Sequence, residues 1–128
     1  MTIGVTYDTG ALLAGERNDR RIWRKHLAFL ALDLVPTVPA PVLAEAWRGR
    51  GRQAALVRLL SGCSVEPLTE PQALRVGALA GRAKHSDIVD VTVVEGALRR
   101  GDAIITSDPT DIEAIARAAA GRPHIVAI

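Results

Sequence analysis

The sequence predicts an α/β fold in which a mainly parallel central sheet is flanked by helices. Three observations carry that expectation. Short β-branched runs, such as Ile3 to Tyr7 and Ala103 to Thr106, alternate with stretches of helical periodicity from end to end. Prolines and capping residues stand where helices should begin, and glycines where they should stop. With 128 residues, 48% of them hydrophobic, the chain is long enough to close one core, so one domain over 1–128 is expected.

Ile3 to Tyr7 is the first expected strand, bounded by Asp8, Thr9 and Gly10, and Ala11 to Gly15 reads as a brief helix. Arg20 to Leu32 carries Ile22, Trp23, Leu27, Leu30 and Ala31 close to the helical repeat. A strand over Leu34 to Val38 follows, and the surrounding Pro36, Pro39 and Pro41 make it a very short or an edge strand. Pro41 opens a helix containing Val42, Leu43, Glu45, Ala46 and Trp47; Gly49 and Gly51 interrupt it before Gln53 to Leu60 resume the pattern. Cys63 to Pro67 is the next strand, and Thr69 with Gln72 forms a capping-box start for a helix through Gly81. The remaining elements are a helix over Asp87 to Arg100 stopped by Gly101, the strand Ala103 to Thr106, a helix over Asp108 to Ala120 stopped by Gly121, and a last strand, His124 to Ile128.

Composition removes several function classes. No uncharged apolar stretch approaches the roughly 18 residues of a membrane span, and the first residues lack the layout of an export signal, so a soluble cytoplasmic protein is expected. One cysteine, Cys63, forms no intrachain disulfide and fits a reducing compartment. Net charge is only +2, yet Arg17, Arg20, Arg21, Arg24 and Lys25 cluster in one stretch and Arg48, Arg50 and Arg52 in another. Such clusters collect phosphates by counterion release, or else form an ordinary solvated helix face. His26, His85 and His124 are scattered without ligand spacing, and none is assigned a metal or catalytic role, although His85 falls close to the acids below.

Five acids stand out from the 14 in the chain. Asp8 and Asp108 follow the first strand and the strand Ala103 to Thr106, at the sheet edge where open parallel sheets bind ligands. Each is also a good helix cap, Asp108 having Pro109 after it. Asp87 and Asp90, three apart, either cap the helix they begin or present two carboxylates on one face. Capping does not account for Asp90 among Ile88, Val89, Val91, Val93 and Val94, where an isolated carboxylate is costly. Glu45 lies past the first turn of its helix, where it is either a solvent-facing residue or a fifth member of the set. Carboxylates that converge repel one another unless protons or a cation neutralise them, and hard oxygen donors suit Mg²⁺, with Mn²⁺ as the alternative.

The series Tyr7-Asp8-Thr9-Gly10, Leu43-Ala44-Glu45-Ala46, Ser86-Asp87-Ile88-Val89-Asp90 and Ile104-Ile105-Thr106-Ser107-Asp108 resembles the PIN-domain nucleases, and among them the VapC toxins of toxin–antitoxin pairs. The resemblance follows the whole chain in order. It implies a PIN-like α/β/α fold and a Mg²⁺-dependent endoribonuclease toxin whose acidic site is Asp8, Glu45, Asp90 and Asp108. Asp8, Asp90 and Asp108 would hold the metal, with Asp87, Thr106 and Ser107 in support. It further implies an RNA substrate held by Arg17, Arg20, Arg21, Arg24, Lys25, Arg48, Arg50 and Arg52, a cognate VapB-like antitoxin, and a homodimer that joins the antitoxin in a hetero-oligomer. Two rivals remain: an RNA-binding module of the same fold without turnover, and a nucleotide-binding or receiver-type domain. The latter lacks a glycine-rich phosphate loop after Asp8.

Overall fold

The computed structural model describes residues 3–128. β1 (Val5–Tyr7) is followed by α1 (Thr9–Glu16) and α2 (Arg20–Ala31), then β2 (Thr37–Pro39), α3 (Ala40–Ala46), α4 (Ala54–Ser61), β3 (Ser64–Glu66), α5 (Glu70–Ala83), α6 (Ile88–Arg100), β4 (Ala103–Thr106), α7 (Pro109–Ala118) and β5 (Ile125–Ala127). The strands form one sheet of order β3-β2-β1-β4-β5 in which every pairing is parallel. The α/β expectation is met.

Parallel strands covered on both faces should be apolar throughout, and the central pair is. Val5, Thr6 and Tyr7 of β1 and all four residues of β4 are buried, in register Val5 with Ala103 and Tyr7 with Ile105. Leu12, Leu56, Leu59, Val91, Val94, Ile112 and Ile115 from the flanking helices close over them, each fully or almost fully buried. Burying a Leu or Ile side chain contributes about 1.5–3 kcal/mol, so this layer dominates the stability of the fold.

Two local expectations are corrected. The second strand begins at Thr37, not Leu34, and is internal rather than an edge, lying between β1 and β3. The Leu34 N–H donates to the Phe29 carbonyl at 2.9 Å to finish α2, which takes that residue out of the sheet. Pro36, with no N–H to give, instead accepts from the Ser64 N–H through its carbonyl. Only half of the capping box at α5 forms. The Thr69 hydroxyl accepts from the Gln72 N–H at 3.4 Å, but the Gln72 side chain donates to Glu95 at 2.9 Å and to Glu66 at 3.2 Å, where buried carboxylates need partners.

The strand order reverses beside β1: β2 and β3 extend the sheet to one side, β4 and β5 to the other. The crevice outside the carboxyl ends of β1 and β4 is therefore where a ligand fits best in such a sheet. Asp8 and Asp108 follow those two strands.

Candidate active site

Three helices begin at this edge, and an aspartate caps each one. Asp8 accepts the Ala11 N–H of α1 at 2.8 Å, Asp87 accepts the Val89 and Asp90 N–H groups of α6 at 3.0 and 3.2 Å, and Asp108 accepts the Asp111 N–H of α7 at 3.4 Å. Capping and convergence are thus not alternatives. The caps bring the carboxylates to one place, and the positive helix ends favour negative charge there. Asp90, which caps nothing, sits in the first turn of α6.

Backbone proximity holds the first and last of these segments together. The Asp8 N–H donates to the Ile105 carbonyl at 3.1 Å. A Cβ on Gly10 would lie 1.8 Å from Ser107 Oγ, so glycine is what lets the start of α1 approach the β4–α7 turn. The Thr106 hydroxyl accepts the Asp108 N–H at 2.8 Å and is also hydrogen-bonded to Asp8. Thr106 therefore ties two of the acids to each other.

The electrostatics of the acids differ from those of ordinary surface carboxylates. Burial raises the Asp8 carboxyl above its usual range, opposed by hydrogen bonds from Thr106, Ala11 and Ser107 and reinforced by the charge of Asp108. Asp8 is only 4% exposed. Burial also pushes Asp90 up to about 6, and the charges of Asp87, Asp8 and Asp108 add to the shift. Asp111 is raised by its hydrogen bond with Asp108 and by that residue's charge. None of the Arg or Lys ion pairs among the described residues uses Asp8, Asp90 or Asp108.

This donor set fits a divalent cation. It is rich in carboxylate oxygen, its members raise one another's pKa values, and no guanidinium or ammonium neutralises them. Next to Asp8, the Thr9 hydroxyl is a buried polar atom with no hydrogen-bond partner, and none other occurs among the described residues. A ligating nitrogen or oxygen from each of His85, Asp90 and Asp111 lies within 4.8 Å of the other two. Asp111 was not singled out as a site residue from sequence, where it reads as a cap residue of α7, and His85 was assigned no role. One signal was there: the Asp87-x-x-Asp90 spacing recurs as Asp108-x-x-Asp111.

The remaining candidates lie around this group. Glu45 is exposed on the last turn of α3, and no hydrogen bond or ion pair links it to the other acids. Ser107 is exposed in the β4–α7 turn, and its N–H contributes to holding Asp8. Arg17 caps the far end of α1, about 12 Å of helix from Asp8. Arg20, Arg21 and Arg24 are exposed on α2 and Lys25 partly so, with Arg21 paired to Asp19 at 2.9 Å. Arg48 pairs with Glu16, whose carboxylate also accepts from Gln53, whereas Arg50 and Arg52 are exposed. Trp47, 46% exposed, lines an apolar hollow with Ala40, Leu43, Ala44 and Leu60. No helix among the described residues is long and apolar enough to cross a membrane.

Over residues 5–118 the sequence matches the PIN domain. No curated protein sequence matches the chain. Among solved structures, FitAB bound to an IR36 DNA fragment is similar, with a TM-score of 0.62 over 96% of this chain and 94% of that one. At 16% sequence identity, that similarity is one of fold.

Proposed function

The chain belongs to the PIN-domain family, whose members are typically metal-dependent nucleases, and on that premise we propose that it is a Mg²⁺-dependent endoribonuclease of the VapC toxin type. The observation that carries this reading is the group of acids at the strand-order reversal, drawn together by three helix starts and left without a cationic partner.

Asp8, Asp90 and Asp108 are the oxygen donors for Mg²⁺, or Mn²⁺, and Glu45 completes the set from α3. A divalent cation there lowers the pKa of a bound water and offsets charge on the phosphodiester, giving hydrolysis that leaves a 5′-phosphate. Thr106 fixes Asp8 through its hydroxyl, Ser107 does so through its N–H, and Asp87 sets the start of α6 so that Asp90 faces Asp8. Arg17, Arg20, Arg21, Arg24 and Lys25, with Arg50 and Arg52, guide the RNA backbone towards this otherwise repulsive edge.

The toxin reading adds a cognate VapB-like antitoxin, a cytoplasmic setting, and a homodimer that enters a toxin–antitoxin hetero-oligomer. The apolar hollow at Trp47, rimmed by Arg48, Arg50 and Arg52, suits an antitoxin segment that combines apolar and acidic side chains. The fold similarity to FitAB, solved on DNA, supports an assembly of this kind. Mapping RNA 5′ ends after brief induction tests the proposal. New ends are expected with the wild type and not with Asp8→Asn. Metal-dependent cleavage retained in both Asp8→Asn and Asp90→Asn overturns it, and RNA binding without cleavage under Mg²⁺ or Mn²⁺ points to a non-catalytic RNA-binding module.

A further inference from the structure

His85 sits in the loop between α5 and α6, partly buried, with its Nε2 3.9 Å from Oδ2 of Asp111. Its other nitrogen, Nδ1, accepts the Asp87 N–H at 3.3 Å. A nitrogen that accepts carries no proton, so this contact assigns the imidazole as the neutral tautomer with hydrogen on Nε2. That N–H faces the carboxylates of Asp90 and Asp111. The three groups are too far apart to bond directly, but an atom centred among them lies no more than about 2.8 Å from each, which is hydrogen-bond distance.

The chemistry of the vacancy between them is restrictive. A metal ion needs a bare imidazole nitrogen, and Nε2 bears hydrogen. A phosphate oxygen, anionic and acceptor-only, would meet two carboxylates. An ammonium group would meet the Nε2–H. What fits is a group whose single oxygen both accepts and donates: the oxygen takes the Nε2–H and its hydrogen goes to a carboxylate. In a nucleic acid the sugar 2′-hydroxyl is such a group, and DNA lacks it.

We propose that His85 and Asp111 form a donor–acceptor pair that reads a ribose 2′-hydroxyl beside the acidic site, making this pair the determinant of RNA over DNA. The inference rests on the nuclease reading above and adds a specificity element to it. His85 binds substrate here and moves no proton.

The test is a set of short single-stranded RNAs, each with one 2′-deoxy position, and the all-DNA strand of the same sequence. Affinities are measured by fluorescence anisotropy with Ca²⁺ in place of Mg²⁺. In the wild type, one deoxy position should weaken binding about tenfold, the scale of a lost hydrogen bond to a charged pair. In His85→Ala and in Asp111→Ala that penalty should vanish while affinity for the all-DNA strand stays as it was; His85→Gln, which keeps an N–H donor, should restore part of it. Thermal unfolding and Mn²⁺ titration of each variant accompany the binding data. A deoxy penalty unchanged in His85→Ala overturns the proposal, and so does a His85→Ala variant that loses Mn²⁺ affinity, which would make His85 a ligand. A wild type that neither binds nor cleaves RNA removes the nuclease reading as well, whereas RNA cleavage with no 2′-deoxy penalty removes this inference alone.

Discussion

Helix α6 carries carboxylates at two places, and they are treated in opposite ways. In its middle, Glu95 is 9% exposed and held by Arg75 and Arg99, each at 3.2 Å, and by Gln72. Around its last turn, Arg99 and Arg100 pair with Glu66, and Arg100 with Asp102 at 2.9 Å, while the Thr6 hydroxyl donates to Asp102 at 2.8 Å. Burial pushes Glu66 and Glu95 up, but the arginines outweigh it and leave both below the usual carboxylate range. At the first turn no arginine is present, and Asp90 rises to about 6. One end of the helix is internally neutralised architecture; the other is a charge deficit left open for something brought from outside.

Removing a carboxylate from each end should therefore give opposite phenotypes. Asp8→Asn or Asp90→Asn should lower metal-dependent RNA cleavage by about a thousandfold, the several kcal/mol that a catalytic metal supplies, without loss of folding. Cleavage assays alongside circular dichroism check both halves. Glu95→Ala leaves Arg75 and Arg99 without their partner and should destabilise the protein by about 2 kcal/mol in urea unfolding, below the figure for a fully buried pair because both arginines reach solvent, with metal binding intact. Asp87→Ala removes a cap with two hydrogen bonds and should cost about 1 kcal/mol.

The smallest effect sharpens the contrast through pH. Asp90 is raised from its ordinary 3.8 to about 6, so between those values the folded protein holds a proton that the unfolded chain has lost. Metal-free stability should therefore fall as pH rises from about 4 to about 6, and Asp8, raised in the same direction, adds to the fall. Tm measured across that range in EDTA should decline in the wild type and decline less in Asp90→Asn. Glu66 and Glu95, both lowered, act with the opposite sign at lower pH.

Much of this division was legible in the sequence. The β4 run and the Asp108-Pro109 start gave their elements directly, and the four acids stood at strand ends or inside apolar surroundings, where the cost of a lone charge flags them. The shift of the second strand was not legible, because it depends on where the Leu34 N–H finds its acceptor. The roles of Gln72, His85 and Asp111 were also hidden. Each is decided by partners 23 or more residues away, as Gln72 to Glu95 and His85 to Asp111 are, and local spacing reports nothing of such pairings. Capping set against catalysis was a false choice at Asp8 and Asp108, since a cap fixes the position of the carboxylate and leaves its second oxygen free.

The open charge deficit is the central claim, and divalent-cation binding measured directly tests it. Calorimetric titration with Mn²⁺ and Mg²⁺, paired with thermal unfolding, should show saturable binding and a raised Tm for the wild type and for Glu95→Ala, and neither for the Asp8→Asn/Asp90→Asn double variant. Equal binding by that double variant, or none by the wild type, would contradict the account.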